Sequence, residues 1–487
     1  MNLKRVALLS VLWLLLRGAI RQGINSIVFV ILALFLTPQQ FGLGSIAVAA
    51  GMLARLMLDR GLRDAVIQTQ GPTTADYLDT AWTLSAVFGA ALAGVLVLVG
   101  LAFVFAVQGT ALGWLIACAG AIPLFAGLSA VSEGYIERNF RQQQLSIVQS
   151  ICSALSGGAA LFLAVWGFGA WSVVMLNVVE AAMFAVANNL LARHAPRLRI
   201  VASLAREQLE FAWPIAVVGL FNGSFFRVAL LIVGASFGAA AAAQFRVGSQ
   251  IYIALAQLAL GPVARALLPV FARHAGDLAS AYQKAIAAYA GLCVPVFFGL
   301  AGISPALIQL LLGPQWATAG TISALLCFVV MSTFIGHPLE AALLVHGESG
   351  PLMGLSLLEN VLGILIIGVT ATISIYAVAL GMALHGIVCL ITTSAYAKHY
   401  LRVPIWASLA PVVYFSLAGL IIFGVARLVL GSAELARTGS GLVSIILAIV
   451  SGVIIYPTLV RFGIRRFAPS AYSPLANLVP ERLQRFI

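Results

Sequence analysis

Residues 82–105 read WTLSAVFGAALAGVLVLVGLAFVF and hold not one charged side chain. Wound as an α-helix at about 1.5 Å per residue, a run of this length crosses a hydrocarbon core of about 30 Å. Its apolar residues are continuous where a barrel strand would alternate. In lipid every backbone N–H and C=O must find a partner inside the segment, so the run predicts a transmembrane helix.

Comparable runs lie on both sides of it. Residues 11–36, 41–62, 111–131, 145–166 and 171–191 complete a first half with it. After a basic connector, residues 211–234, 239–260, 285–302, 317–345, 351–373 and 377–397 form a second half, and 405–429 and 441–459 close the series before a basic tail. The prediction is an all-α integral membrane protein of about fourteen spans with no sizeable soluble domain. Composition agrees: 62% of residues are hydrophobic and 9% charged, against about 45–50% and 25% in soluble domains.

The formal charge of +12 invites a nucleic-acid reading, but Lys and Arg sit in short clusters between the runs and make no basic face. Their placement tests the spans independently, because cytoplasmic loops collect positive charge. With a cytoplasmic N-terminus, Lys4, Arg5, Arg60, Arg63, Arg138, Arg141, the cluster Arg193 to Arg206, Arg265, Arg273, Lys284, Lys398, Arg402 and the tail from Arg461 to Arg485 all fall inside. Only Arg427 and Arg437 fall outside. Both termini are therefore expected in the cytoplasm. Arg17 and Arg21 stand where a signal peptide would carry small residues for cleavage, so the first run is expected in the mature chain.

The first two spans align without gaps to the seventh and eighth at an offset of 204 residues, with Gln40-Phe41-Gly42-Leu43-Gly44-Ser45 facing Gln244-Phe245-Arg246-Val247-Gly248-Ser249. Six spans separate the copies, an even number, which predicts two six-helix lobes related by a pseudo-two-fold along the membrane normal. The expected divisions are 1–197, 198–400 and 401–487. Such halves would enclose a central cavity.

Ionisable side chains at membrane depth are costly and mark sites by default. Those within the runs are Arg17, Arg21, Arg55, Asp59, Glu180, Arg227, Arg246, Glu340, Glu359 and His385. Arg55 and Asp59 lie four apart on one helical face and suit an ion pair. Arg227 and Arg246 lie about two turns inside the outer ends of their spans, too deep to snorkel easily. Arg21, Arg55, Arg227 and Arg246 are the expected lining of a cationic cavity. Asp59, Glu180, Glu340 and Glu359 are the expected ion-pair or coupling carboxylates. Guanidinium matches phosphate oxygens bidentately, which favours an anionic, phosphate-bearing cargo.

The cysteines Cys118, Cys152, Cys293, Cys327 and Cys389 all fall inside apolar runs without paired spacing, so neither disulfides nor zinc are expected. No phosphate-binding loop, zinc motif or outward acidic cluster is present, and neither a metal nor a cofactor is expected. Short outward loops argue against a membrane polymerase or ligase of glycan assembly.

Several motifs carry a family resemblance. Leu36-Thr37-Pro38-Gln39-Gln40-Phe41-Gly42, Asp59-Arg60-Gly61-Leu62 and Ala65-Val66-Ile67-Gln68 are joined by Glu137-Arg138-Asn139-Phe140-Arg141, Gly167-Phe168-Gly169-Ala170-Trp171 and Gly313-Pro314-Gln315-Trp316. Together they resemble the polysaccharide transporter (Wzx-type flippase) branch of the multidrug/oligosaccharidyl-lipid/polysaccharide (MOP) exporter superfamily. Arg60 and Arg63 flank Gly61 where that branch is often uncharged, and about fourteen spans exceed the twelve of many members.

The resemblance implies a two-lobed, non-enzymatic carrier in the bacterial inner membrane. It would flip undecaprenyl-pyrophosphate-linked oligosaccharide outward by alternating access, serving exopolysaccharide or O-antigen-type synthesis. Its expected partners are that lipid-linked oligosaccharide, membrane lipid, and glycan polymerase and export machinery, with no nucleic acid. A MATE-like antiporter of drugs or small solutes is the alternative within the superfamily.

Overall fold

The computed structural model describes residues 23–59, 61–69, 73–106, 111–193, 196–273, 277–346, 349–435 and 441–467. All regular structure among them is helical. In chain order the helices are α1 (Gly23–Phe35), α2 (Pro38–Asp59), α3 (Gly61–Gln68), α4 (Ala75–Ala106), α5 (Ala111–Ala119), α6 (Ala121–Arg138), α7 (Gln142–Val165) and α8 (Ala170–Ala192). Then come α9 (Ala202–Arg273), α10 (Leu278–Leu312), α11 (Ala317–Leu326), α12 (Thr333–His346), α13 (Ser349–Thr370), α14 (Ile375–Leu401), α15 (Ile405–Leu435) and α16 (Gly441–Phe467).

Among the described residues, 11 helices are long and apolar enough to cross a membrane, and Gly23–Phe35 and Leu442–Tyr456 are shorter apolar helices. The protein is a multi-pass membrane protein. Leu98, Phe105 and Leu190 are more than two-thirds exposed on the outsides of their helices, which only a lipid solvent tolerates on this scale.

The family-like motifs build helix ends. Thr37 and Gln40 form a reciprocal capping box: the Thr37 N–H donates to Gln40 Oε1 at 3.2 Å and the Gln40 N–H to Thr37 Oγ1 at 3.3 Å. Pro38 takes the first helical position, where its missing N–H costs nothing. Gly167 and Gly169 both have positive φ in the turn before α8, a conformation glycine adopts without strain. Gly313, at φ 93°, ends α10, and Trp316 of the following 3₁₀ turn is fully buried.

Helix α9 runs unbroken through Pro214 and is interrupted at Gly238 (φ 83°, ψ 178°). The break divides it into segments 202–237 and 239–273, matching the seventh and eighth predicted spans.

The chain divides into two compact units, Met1–Arg246 and Val247–Ile487. In the first, α2 is enclosed by α5, α6 and α8, and glycines let α9 approach α2 and α3 closely. A Cβ on Gly42 would lie 1.7 Å from the Ala239 carbonyl oxygen, and Gly61 sits against Ala212. In the second, α10 is the buried axis, with α11, α15 and α16 packed on it. Tyr456 of α16 donates its hydroxyl to the Gly291 carbonyl of α10.

Candidate functional site

Among the described residues, five of the expected site residues belong to the first unit. Arg55 Nε donates to Asp59 Oδ1 at 3.0 Å, the i,i+4 pair that the spacing predicted, and the two side chains are 17% and 39% exposed. Partial exposure makes this an accessible pair and not a sealed one. Arg227, on the first segment of α9, donates from Nη1 to the Gly223 carbonyl of its own helix. It lies within Coulombic reach of both Asp59 and Arg55.

Arg246 follows the Gly238 break and sits within Coulombic reach of Arg227. Its guanidinium carbon lies 5.7 Å from the centroid of the Phe29 ring, a cation–π position. Phe29 is held edge-on to Phe41 at 5.1 Å. Glu180 is 7% exposed and accepts from Ser153 Oγ at 2.6 Å. It too lies within Coulombic reach of Arg55. Arg21 lies outside the described residues.

These groups make a graded series. Arg55 is paired with Asp59, Arg227 stands within Coulombic reach of Asp59 and Arg55, and Arg246 stands within reach of Arg227. At membrane depth such a grouping is costly unless anionic or polar matter shares the space.

Sequence reading missed three participants. Arg63 of α3 was expected in a cytoplasmic loop, but its Nη2 lies 2.7 Å from Glu137 Oε2 and 3.5 Å from Glu133 Oε1. Both carboxylates belong to α6, which continues to Arg138 although the apolar run ends at Val131. Glu133 also accepts from Gln149 Nε2 of α7 at 3.1 Å. Arg55, Asp59, Arg63, Ser129 and Glu133 line one small cleft in this unit. The i,i+4 spacing of Glu133 and Glu137 was the signal that could have found them.

In the second unit, Glu359 of α13 accepts from the Thr392 and Thr393 hydroxyls of α14, both at 2.9 Å. His385 Nε2 donates to the Glu359 carbonyl oxygen at 2.8 Å and lies 3.2 Å from Cys389 Sγ. Glu340 is exposed on α12. His337, which sequence reading passed over, pairs through Nδ1 with the Tyr289 hydroxyl at 2.8 Å. Among the described residues no group of three His, Cys, Asp or Glu side chains is arranged to hold a metal ion, and all five cysteines are free thiols.

The family profile described as polysaccharide biosynthesis protein matches residues 31–321. The succinoglycan biosynthesis transport protein ExoT of Rhizobium meliloti (strain 1021) is 26% identical over 333 residues, covering 65% of this chain and 65%, just under two thirds, of that protein's own length. Among solved structures, lipid II flippase MurJ in an inward closed conformation superposes with a TM-score of 0.77 at 12% identity, over 94% of this chain and 99% of that one. An inward-facing multidrug resistance MATE family transporter of the MOP superfamily gives a TM-score of 0.59 at 15% identity, over 81% and 99% of the two chains. At such identities the shared property is the fold.

Proposed function

This chain belongs to the polysaccharide biosynthesis protein family, and from that premise we propose that it is a flippase, carrying a lipid-linked saccharide across the membrane. Its substrate is an undecaprenyl-pyrophosphate-linked oligosaccharide, moved from the cytoplasmic to the outer leaflet of a bacterial inner membrane for exopolysaccharide or O-antigen-type synthesis. Both termini face the cytoplasm, where the Lys and Arg clusters are concentrated.

The observation that carries the reading is the series Arg55, Arg227 and Arg246 in one helical unit, each within Coulombic reach of the next. A pyrophosphate brought unaided into hydrocarbon would face a prohibitive desolvation cost. Guanidinium groups that already stand at that depth offset it with charge-assisted bonds. The sequence puts Arg21 in the first apolar run, and it is the further cation we assign to this lining. The headgroup passes along the arginines by alternating access while the prenyl tail stays in lipid. Asp59 serves as the ion-pair partner of Arg55, and Glu359, Glu180 and Glu340 are the carboxylates available for coupling to an ion gradient.

The likeness in fold to a multidrug transporter supports a second reading, export of drugs or small solutes. Reconstituted vesicles separate the two. A fluorescent lipid-linked oligosaccharide should become accessible to an externally added glycosidase with the intact protein, and that gain should vanish in the Arg227→Ala, Arg246→Ala double variant at equal membrane insertion. Full flipping by the double variant would overturn the arginine mechanism. Drug efflux without any flipping would overturn the flippase reading.

A further inference from the structure

Two of the family-like motifs interlock at one end of the first unit. Gly61 to Gln68 of α3 follow directly on α2 and are tied to α6 from both sides. Arg63 reaches Glu137 at 2.7 Å and Glu133 at 3.5 Å. In return, Arg138 Nη1 donates to the Val66 and Thr69 carbonyls at 3.0 and 2.7 Å, capping the end of α3. Beneath these bonds Leu62 and Val66 pack with Tyr77, Leu78, Val131 and Ala212.

The clamp shares its cleft with the proposed headgroup residue Arg55 and with Asp59. Arg55 lies within Coulombic reach of Glu133 as well as of Asp59. Glu133 can therefore turn toward either guanidinium, and in the observed arrangement it lies 3.5 Å from that of Arg63, with Glu137 holding the same guanidinium at 2.7 Å. A carboxylate that lost this partner in a low-dielectric site would draw in the next cation available.

Resting on the flippase reading, we propose that Arg63 is a positioning residue: by engaging Glu133 and Glu137 it keeps Glu133 from capturing Arg55, and so leaves the Nη groups of Arg55, whose Nε is held by Asp59, to meet the pyrophosphate. Arg63 itself does not touch the substrate. The clamp works by exclusion, so its charge is needed only while the two carboxylates are present.

The test is a pair of variants measured two ways. In vesicles, Arg63→Met should weaken the apparent affinity for lipid-linked oligosaccharide roughly tenfold, the scale of a partly desolvated charge pair, with a smaller effect on the maximal rate. The triple variant Arg63→Met, Glu133→Gln, Glu137→Gln should regain that affinity, because the competing charges are gone. A triple variant as weak as Arg63→Met would overturn the proposal in favour of direct substrate contact or a purely mechanical staple.

The second measurement needs no substrate. Double-mutant cycles on thermal unfolding in detergent should find weaker coupling between Arg55 and Glu133 in the intact protein than in the Arg63→Met background. Equal coupling in both backgrounds would overturn the exchange of partners. If no lipid-linked saccharide is flipped at all, the flippase reading falls while this cycle still decides the role of Arg63.

Discussion

Arg197 donates its backbone N–H to the carboxylate of Asp79 at 3.0 Å, across 118 positions of sequence. Asp79 is 4% exposed on α4, and the bond is the first of a row. The Arg199 N–H donates to Thr83 Oγ1 at 3.1 Å and the Val201 N–H to Thr80 Oγ1 at 3.2 Å. Alternate N–H groups of an extended connector are thus satisfied by side chains of one helix, which stand in for a neighbouring strand. Gln208 continues the attachment by donating to the Tyr77 carbonyl at 3.0 Å. This strap sets where α9 begins.

Asp79→Ala should therefore destabilise the protein by about 2 kcal/mol, the scale of a buried bond to a charged acceptor. The measurement is thermal unfolding in detergent, combined with limited proteolysis between Arg193 and Arg199. Unchanged stability and cleavage would show that the strap is not held by this carboxylate. Asp79→Asn, which keeps an acceptor oxygen, should lose less.

The contact of α2 with α9 makes a steric prediction. Gly42→Ala would place a Cβ 1.7 Å from the Ala239 carbonyl oxygen, and backbone cannot give way as a flexible side chain would. A loss of more than about 2 kcal/mol is expected from such overpacking. Gly94→Ala on α4, where nothing lies within 4 Å, should be neutral or gain up to about 1 kcal/mol from helix propensity. Thermal unfolding of the two variants side by side checks both.

The Arg55 and Asp59 pair can be separated from its proposed role. Arg55→Met leaves Asp59 unmatched and should cost about 1–3 kcal/mol, less than a sealed pair because Asp59 is 39% exposed. Arg55→Met with Asp59→Leu should restore stability without restoring flipping. If flipping returns with stability, Arg55 is a structural residue only.

Glu359→Gln keeps an oxygen that the Thr392 and Thr393 hydroxyls can bond, so the α13–α14 contact should survive with a change in stability below about 1 kcal/mol. If Glu359 couples transport to an ion gradient, the variant should flip at a rate that no longer responds to an imposed gradient. A gradient response equal to that of the intact protein would remove Glu359 from the coupling role.

Continuous apolar runs were enough to specify a membrane-embedded helical protein, because lipid allows few ways to satisfy a backbone, and the Arg55–Asp59 pair was legible because it obeys helical spacing. The capping box at Thr37 and Gln40 and the glycine turns at Gly167, Gly169 and Gly313 are local in the same sense: their chemistry lies within four residues. Tertiary structure alone decided the rest. It joined Arg63 to Glu133 and Glu137 and Asp79 to the connector near Arg197, and broke α9 at Gly238 while the helix ran on through Pro214. Those outcomes depend on which helices lie side by side. Polar groups in oil choose partners by distance in space, and a single sequence carries no record of that distance.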